Sequence, residues 1–338
     1  MKAIAYYQSL PIDHAEALLD IELPAPQPGP RDLLVRVMAI SVNPVDTKIR
    51  RNVSPGAGEA KVLGWDVAGE VLEVGAEVRQ FRPGDKVFYA GAIDRAGANS
   101  ELHVVDERIV GRMPGSLDFA RAAALPLTAI TAWELLFERL GVREGKGDER
   151  QSLLVIGAAG GVGSILVQLA RQLTGLTVIG TASRAETQQW VRELGAHHVI
   201  DHSQPLLPQL KALGHDQVSM VASLTHTDQH LDQLIEALAP QGKLALIDDP
   251  AQLDVVKLKR KSLSLHWEFM YTRSLFETPD MLEQHHILER VSQLVDAGTL
   301  RTTLGEHFGA INAANLRRAH AVLESGQARG KIVLEGFD

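Results

Sequence analysis

Residues 152–163, SLLVIGAAGGVG, decide the fold of this chain. A strand-length apolar run enters a glycine-dense turn, and a helix-patterned segment, SILVQLARQL (164–173), follows at once. Glycines let a backbone approach an anion closely, and the first N–H groups of a helix have no partner within it. Strand, turn and helix start therefore predict a phosphate cradle, and with it a dinucleotide ligand. The fingerprint is Ala158-Ala159-Gly160-Gly161-Val162-Gly163, with Ala where the first glycine usually stands. Ala fits that turn so long as its φ stays negative. The competing reading is a glycine-rich packing turn; a second strand inside a unit of about 30 residues favours the dinucleotide.

Downstream, strands and helices alternate. Strands are predicted at Leu153–Ile156, Thr177–Thr181, His198–Asp201, Gln217–Ala222 and Lys243–Ile247, where the run ends. Helices are predicted between them at about 162–173, 185–194, 208–213 and 228–238. Such alternation with short links predicts an α/β fold with a parallel, doubly wound sheet. Residues 1–120 hold short β-type runs, among them LLVRVMAISV and VAGEVLEVG, punctuated by Pro28-Gly29-Pro30, Val74-Gly75-Ala76 and Pro83-Gly84-Asp85. That spacing predicts a barrel or partly open β domain. Phe119–Leu140 reads mostly as helix broken at Pro126, and Gly141–Arg150 as a loop. Beyond about residue 271 come a helix Glu283–Ala297, a strand Leu304–Phe308, a helix Asn312–Ser325 and a strand Lys331–Leu334.

Composition narrows the class. A chain of 338 residues suits two domains, and 45% apolar with 22% charged residues is a soluble globular profile. The net charge of −8, with Lys and Arg scattered, offers no footprint for nucleic acid or an anionic membrane. The chain contains no cysteine, so disulfides and cysteine-based zinc sites are excluded. The N-terminus does not read as a signal peptide. The apolar-rich stretch Ala120–Phe137 is interrupted by Arg121, Pro126, Thr128, Thr131 and Glu134 and is too broken to span a bilayer. A cytoplasmic protein is expected.

The tip of the second predicted strand selects the cofactor. NAD enzymes usually carry Asp or Glu there for the ribose hydroxyls. This chain has Thr181-Ala182-Ser183-Arg184. A guanidinium forms charge-assisted bonds with phosphate, so Ser183 and Arg184 favour NADPH. Alternatively Ser183 caps the next helix and Arg184 is a solvated charge. For metals, His226 and His230 have the four-residue spacing of one helix face, without an adjoining Glu. His197-His198 and His285-His286 are adjacent and diverge on a helix. No functional metal site is expected.

The segments SVNPVDTKIR (41–50), VLGWDVAGEV (62–71), RPGDKV (82–87), AAALPLTAITAWELL (122–136), AAGGVG (158–163) and RGKIVL (329–334) stand in one order. In that order and spacing the chain resembles the medium-chain dehydrogenase/reductases. Within them it is most similar to the zinc-independent quinone oxidoreductases of zeta-crystallin type and the bacterial group labelled zinc-type alcohol dehydrogenase-like. The resemblance implies a GroES-like, partly open β-barrel catalytic domain (1–124 and 271–338). A Rossmann NADPH-binding domain (125–270) is inserted in it, the active site lies in the cleft, and the protein is a homodimer joined through the Rossmann sheets. In zinc-dependent relatives a Cys ligand falls at Asn43 and a His ligand at Trp65; neither residue here can supply that chemistry.

The resemblance also implies roles. Asn43 lines the cleft near the nicotinamide, and Thr128, preferred over Thr131, holds the nicotinamide. Leu224-Thr225 and Ile247-Asp248 flank the cofactor. Tyr89 is the best side-chain candidate for the proton, with solvent as the alternative. Asp46 sits where metal-dependent relatives keep a relay hydroxyl, or pairs with Lys48 or Arg50. Trp65 narrows the substrate pocket and stacks on a flat substrate. Trp267, with Glu268 and Phe269, reaches the cleft or the dimer contact. The expected activity is NADPH-dependent, zinc-free hydride transfer to quinones or α,β-unsaturated carbonyls. The alternatives are a zinc-type alcohol dehydrogenase and a non-catalytic, crystallin-like NADPH-binding protein.

Overall fold

The computed structural model describes residues 1–145, 147 and 151–337. The loop expected over Gly141–Arg150 lies partly outside them. The chain divides into two units, Met1–Ile130 with Tyr271–Asp338, and Thr131–Met270.

The first unit begins with β1 (Lys2–Tyr6), β2 (Leu19–Glu22), β3 (Asp32–Val42), α1 (Pro44–Asn52), β4 (Lys61–Val62) and β5 (Val67–Val74). It continues through β6 (Lys86–Tyr89), β7 (Leu102–Asp106), β8 (Val110–Arg112), α2 (Phe119–Ala123) and α3 (Pro126–Trp133). The second unit holds β9 (Ser152–Ile156), α4 (Gly161–Leu173), β10 (Thr177–Thr181), α5 (Ala185–Glu193) and β11 (His198–Ile200). After them come α6 (Leu206–Ala212), β12 (Val218–Ser223), α7 (Thr227–Ala237), β13 (Leu238–Leu246) and β14 (Ser264–Trp267). The chain returns to the first unit as α8 (Thr272–Leu275), α9 (Glu283–Asp296), β15 (Leu304–His307), α10 (Ala313–Glu324) and β16 (Lys331–Glu335).

The second unit is a six-stranded sheet in the order β11-β10-β9-β12-β13-β14, parallel throughout. Counted within the unit that is 3-2-1-4-5-6, the doubly wound nucleotide-binding order, with its switch point between β9 and β12. All five residues of β9 are buried, as a central strand covered on both faces requires. The sequence reading ended the sheet at Ile247. The structure adds β14, in register with β13 from Lys243↔Ser264 to Leu246↔Trp267. A short 3-10 helix, Val255–Lys261, makes that crossover, so no α-helical periodicity announces the sixth strand.

The first unit is built on a seven-stranded sheet, β15-β16-β3-β5-β6-β8 with β7 also paired to β3, and a small sheet β2-β1-β4. β3 is 11 residues long and changes register against β5 at Leu34/Val35 and Val37/Ala39. Such bulges bend a strand, and β3 pairs β7 along its first half and β16 along its second. The result is a partly open sheet bent at β3. Its last strand comes from the far end of the sequence.

Two corrections concern the stretch read as one broken helix. Beyond α3 the chain widens into a π-helix, Glu134–Arg139, in which Leu140 N–H reaches the Leu135 carbonyl at 2.9 Å. The passage between units falls at 130/131, inside α3, and not at 124/125. The first turn of α3 is tied to the first unit: Leu127 N–H donates to Asp66 at 2.8 Å, and Thr303 Oγ1 to the Ala124 carbonyl at 2.8 Å.

The α1–α10 contact buries His320 completely, and neither ring nitrogen has a hydrogen-bond partner among the described residues. Burial, helped by Arg50, pushes its pKa down to about 3. The unfolded value is about 6.5. The folded state therefore binds fewer protons between those values, and stability is lost as pH falls from 6.5 towards 3. His320→Leu is expected to raise stability by about 1–2 kcal/mol at pH 7 and by more at pH 5. Urea denaturation at both pH values checks this; a gain that does not grow on acidification counts against it.

Candidate active site

At the carboxyl end of β9 the chain turns through Gly157, whose φ is +76° and whose N–H donates to Thr181 Oγ1 at 3.1 Å. Gly157 thus takes the positive φ that only glycine adopts cheaply. Ala158 next to it stays out of the left-handed region and is fully buried. Gly160 is the N-cap of α4, with no side-chain cap among the described residues. The N–H groups of Gly161, Val162 and Gly163 form the uncapped first turn. A Cβ on Gly163 would lie 2.4 Å from the Gly157 carbonyl oxygen and 2.6 Å from Ala158 Cα. Glycine there lets helix and strand meet closely. These features fit a nucleotide pyrophosphate.

The next strand end carries the second half of the candidate cofactor site. Ser183 and Arg184 follow β10 and are exposed, and Arg184 lies 3.5 Å from Glu186. The N-cap of α5 falls on Arg184, so Ser183 is not at the capping position. Across the switch point, Leu224 and Thr225 follow β12 half-buried, and Thr225 Oγ1 meets His226 Nδ1 at 2.6 Å. Ile247 and Asp248 follow β13. Asp248 is engaged within the protein. Its two carboxylate oxygens accept the N–H of Thr227 at 2.8 Å and its hydroxyl at 2.5 Å, so Asp248 anchors α7.

Trp267 ends β14 and is half exposed, as is Phe269. Glu268 between them points inward, buried, and accepts Arg139 Nε–H at 2.8 Å. It therefore reaches no outer surface, a correction to the grouping of the three.

In the first unit the family motifs converge on a buried polar network. Asn43 is the N-cap of α1 and is 1% exposed. Its Nδ2 donates to Asp66 Oδ2 at 2.9 Å and to the Ser41 carbonyl at 3.3 Å. Its Oδ1 accepts from Lys331. Lys331 Nζ also donates to the Val42 carbonyl at 2.8 Å and to Asp66 at 3.0 Å, which uses all three of its protons. Asp66 takes a further bond from Leu127 N–H. Asp46 accepts the N–H of Asn43 at 2.6 Å and of Gly64 at 3.1 Å. Burial pushes the Asp46 carboxyl up to about 7, against the Asn43 N–H and Lys331, which pull it down. Burial also raises Asp66, with Lys331 opposing.

This geometry corrects three expected roles. The Asn43 amide has no donor left for a substrate carbonyl; it braces α1. Asp46 is buried and closes the capping box of α1, with Lys331 as its cation; Arg50 is bound instead to the Leu10 carbonyl and Glu324. Tyr89 is fully buried, and its hydroxyl meets His103 Nδ1 at 3.0 Å, while His103 Nε2 meets the Ala96 carbonyl at 3.0 Å. The carbonyl fixes the ring proton on Nε2, so Tyr89 donates to Nδ1. Burial holds His103 down at about 4 and raises Tyr89 well above the usual phenol range. A phenol so committed is poorly suited to deliver a proton.

Trp65 is 1% exposed and donates Nε1–H to the Ala92 carbonyl at 3.1 Å; it offers no open face for stacking. Thr128 is buried and its hydroxyl donates to the Leu125 carbonyl at 3.1 Å. The sequence reading missed Lys331 and Asp66 as the brace of this network, and Tyr271, a buried phenol held high by burial and the nearby Asp46 and Asp66. Among the described residues no three of His, Asp and Glu are grouped so as to hold a metal ion.

Comparison with known proteins fits this architecture. Residues 29–125 match the alcohol dehydrogenase GroES-like domain, and residues 194–334 the zinc-binding dehydrogenase domain. A Staphylococcus aureus zinc-type alcohol dehydrogenase-like protein is 37% identical over 336 residues, 99% of each chain. A solved Rhizobium etli protein, whose name places it with zinc-dependent alcohol dehydrogenases, is 57% identical. It covers 100% of this chain and 98% of its own, with a TM-score of 0.96. Escherichia coli quinone oxidoreductase, solved with NADPH, is 25% identical, covering 99% and 100%, with a TM-score of 0.84. The chain is an oxidoreductase of the medium-chain dehydrogenase/reductase class. Within that superfamily it belongs with the quinone oxidoreductase-like proteins.

Proposed function

We propose that the protein is a zinc-independent, NADPH-dependent reductase of quinones or α,β-unsaturated carbonyls. The observation that carries this reading is the β9–α4 cradle at the switch point, followed by Ser183 and Arg184 where an NAD enzyme carries an acid. Gly157, the N–H groups of Gly161–Gly163 and Arg184 would hold the cofactor. When bound, NADPH supplies a hydride. The likeness to a quinone oxidoreductase solved with NADPH supports the same reading.

The first unit bears on the acceptor. Asn43, Tyr89, Trp65 and Thr128 spend their donors on protein acceptors. With such a wall, the acceptors best served are those electrophilic enough to take hydride without a positioned acid, their proton then coming from solvent. Quinones and conjugated enones are of that kind. The names of relatives favour a zinc alcohol dehydrogenase instead, but the ligand positions hold Asn43, already saturated, and Trp65, which has no lone pair to offer.

Arg184→Glu is expected to weaken NADPH by about 1.5–3 kcal/mol, roughly 10- to 150-fold, and NADH far less. Fluorescence titration with both cofactors checks this, and an unchanged NADPH/NADH ratio would show that Arg184 does not read the phosphate. A homodimer joined at the outer edge of β14, beside the exposed Trp267 and Phe269, is the assembly the sheet best supports. No helix among the described residues is long and apolar enough to cross a membrane.

A further inference from the structure

We propose that His202 and His230 make the cofactor site pH-sensitive, His202 becoming a second cation beside Arg184 when a ribose 2′-phosphate binds. The inference rests on reading Ser183-Arg184 as the 2′-phosphate end of the site. β10 and β11 run parallel with Thr181 opposite Ile200, and Ala182 N–H continues the pairing to the Ile200 carbonyl at 3.0 Å. Ser183 and His202 each stand two residues beyond those partners. Neighbouring strands lie about 4.8 Å apart, so His202 leaves the same end of the sheet on the strand next to Ser183-Arg184.

His230, from the first turn of α7, packs edge-on against it, with ring centroids 6.1 Å apart at 81°. The Nδ1 atoms of both rings are shut off from water, and neither has a hydrogen-bond partner among the described residues. The network already described uses neither ring.

The surroundings keep the unliganded pair neutral. Burial lowers His202 most, Asp201 opposes, and His226 adds to the lowering. Burial also lowers His230, reinforced by His202 and His226 and opposed by Asp228 and Asp248. Asp248 is engaged by Thr227, Arg184 is near Glu186, and Gln209 of α6, which holds Asp201 N–H, is neutral. A phosphate dianion reverses the balance, because a nearby opposite charge favours the imidazolium. One proton moves from buffer to the His202 ring on binding, and the phosphate keeps all its bonds.

Calorimetry of the full chain with 2′,5′-ADP and with 5′-AMP, in two buffers of different ionisation heat near pH 7, tests this. Proton uptake is expected with 2′,5′-ADP and none with 5′-AMP. Affinity for 2′,5′-ADP should rise about fivefold from pH 8 to pH 6.5. Phosphate against Arg184 alone would do the reverse, since its second ionisation near pH 6 is pulled down and a proton is released. In His202→Gln the uptake should give way to the small release expected of Arg184 alone, and the affinity should no longer rise from pH 8 to pH 6.5. Release or no net exchange in the unaltered protein, or uptake that survives His202→Gln, overturns the proposal while leaving the 2′-phosphate reading intact. If 2′,5′-ADP binds no better than 5′-AMP at any pH, both fail.

Discussion

Lys331→Met is expected to destabilise the protein by about 3–5 kcal/mol, the cost of removing one partner from a buried charge network. Lys331 is the cation among two buried carboxyl groups, and its three donors go to Val42, Asn43 and Asp66. Without it Asp66 keeps, among the described residues, Asn43 and Leu127 N–H, and both acids must hold protons more tightly. An acid whose folded pKa is raised loses stability as pH rises from its unfolded value, near 3.9, through the folded one. Asp46 already sits at about 7; the substitution pushes both acids higher and extends that loss upward. The deficit should therefore be larger at pH 8 than at pH 5, and adding Asp66→Asn should recover part of it. Urea denaturation of the single and double variants at both pH values measures this. A deficit below about 1 kcal/mol, or one independent of pH, would mean that the network holds nothing together.

Gly163→Ala tests the second unit in the same way. The added methyl meets two backbone atoms at 2.4 and 2.6 Å, so neither a rotamer change nor a flexible side chain can relieve it. Either α4 lifts from the turn or the turn distorts. The expected cost is about 2–3 kcal/mol in stability and about a hundredfold in dinucleotide affinity, as a cradle displaced by an ångström loses its contacts. Gly160→Ala is the contrast. Its Cβ would sit 3.5 Å from the Gly157 carbonyl oxygen at a φ of −74°, so stability should change by less than about 1 kcal/mol. Thermal melts and fluorescence titration read both. Equal tolerance at the two positions would contradict the close approach of helix to strand.

The second unit was largely legible in the sequence because buried parallel strands are apolar runs and the intervening helices carry their own periodicity. The turn around Gly157–Gly163 was legible for the same local reasons. The sixth strand was not, because a 3-10 crossover rich in Lys and Arg precedes it. In the first unit the short strands could be read, but their partners could not. Lys331 meets Asp66 and Asn43 only because β16 pairs with β3, Ile332 opposite Val42. No local pattern encodes that register across most of the chain.

The misplaced roles have the same origin. Asn43 and Tyr89 are residue types that donate hydrogen bonds, and the sequence shows the donor but not the acceptor. Asp66 reaches Asn43 through the pairing of β3 with β5, and His103 reaches Tyr89 from β7, a strand that pairs β3 and not β6. Asp248 was placed correctly at the strand end, yet its carboxylate is used by Thr227 one strand away.

Hydride delivery from NADPH without zinc is measured by NADPH oxidation with 1,4-benzoquinone in exhaustively chelated protein. Turnover is expected to survive chelation, to be unchanged by added zinc and to be much slower with NADH. Activity abolished by chelation and restored only by zinc would contradict it.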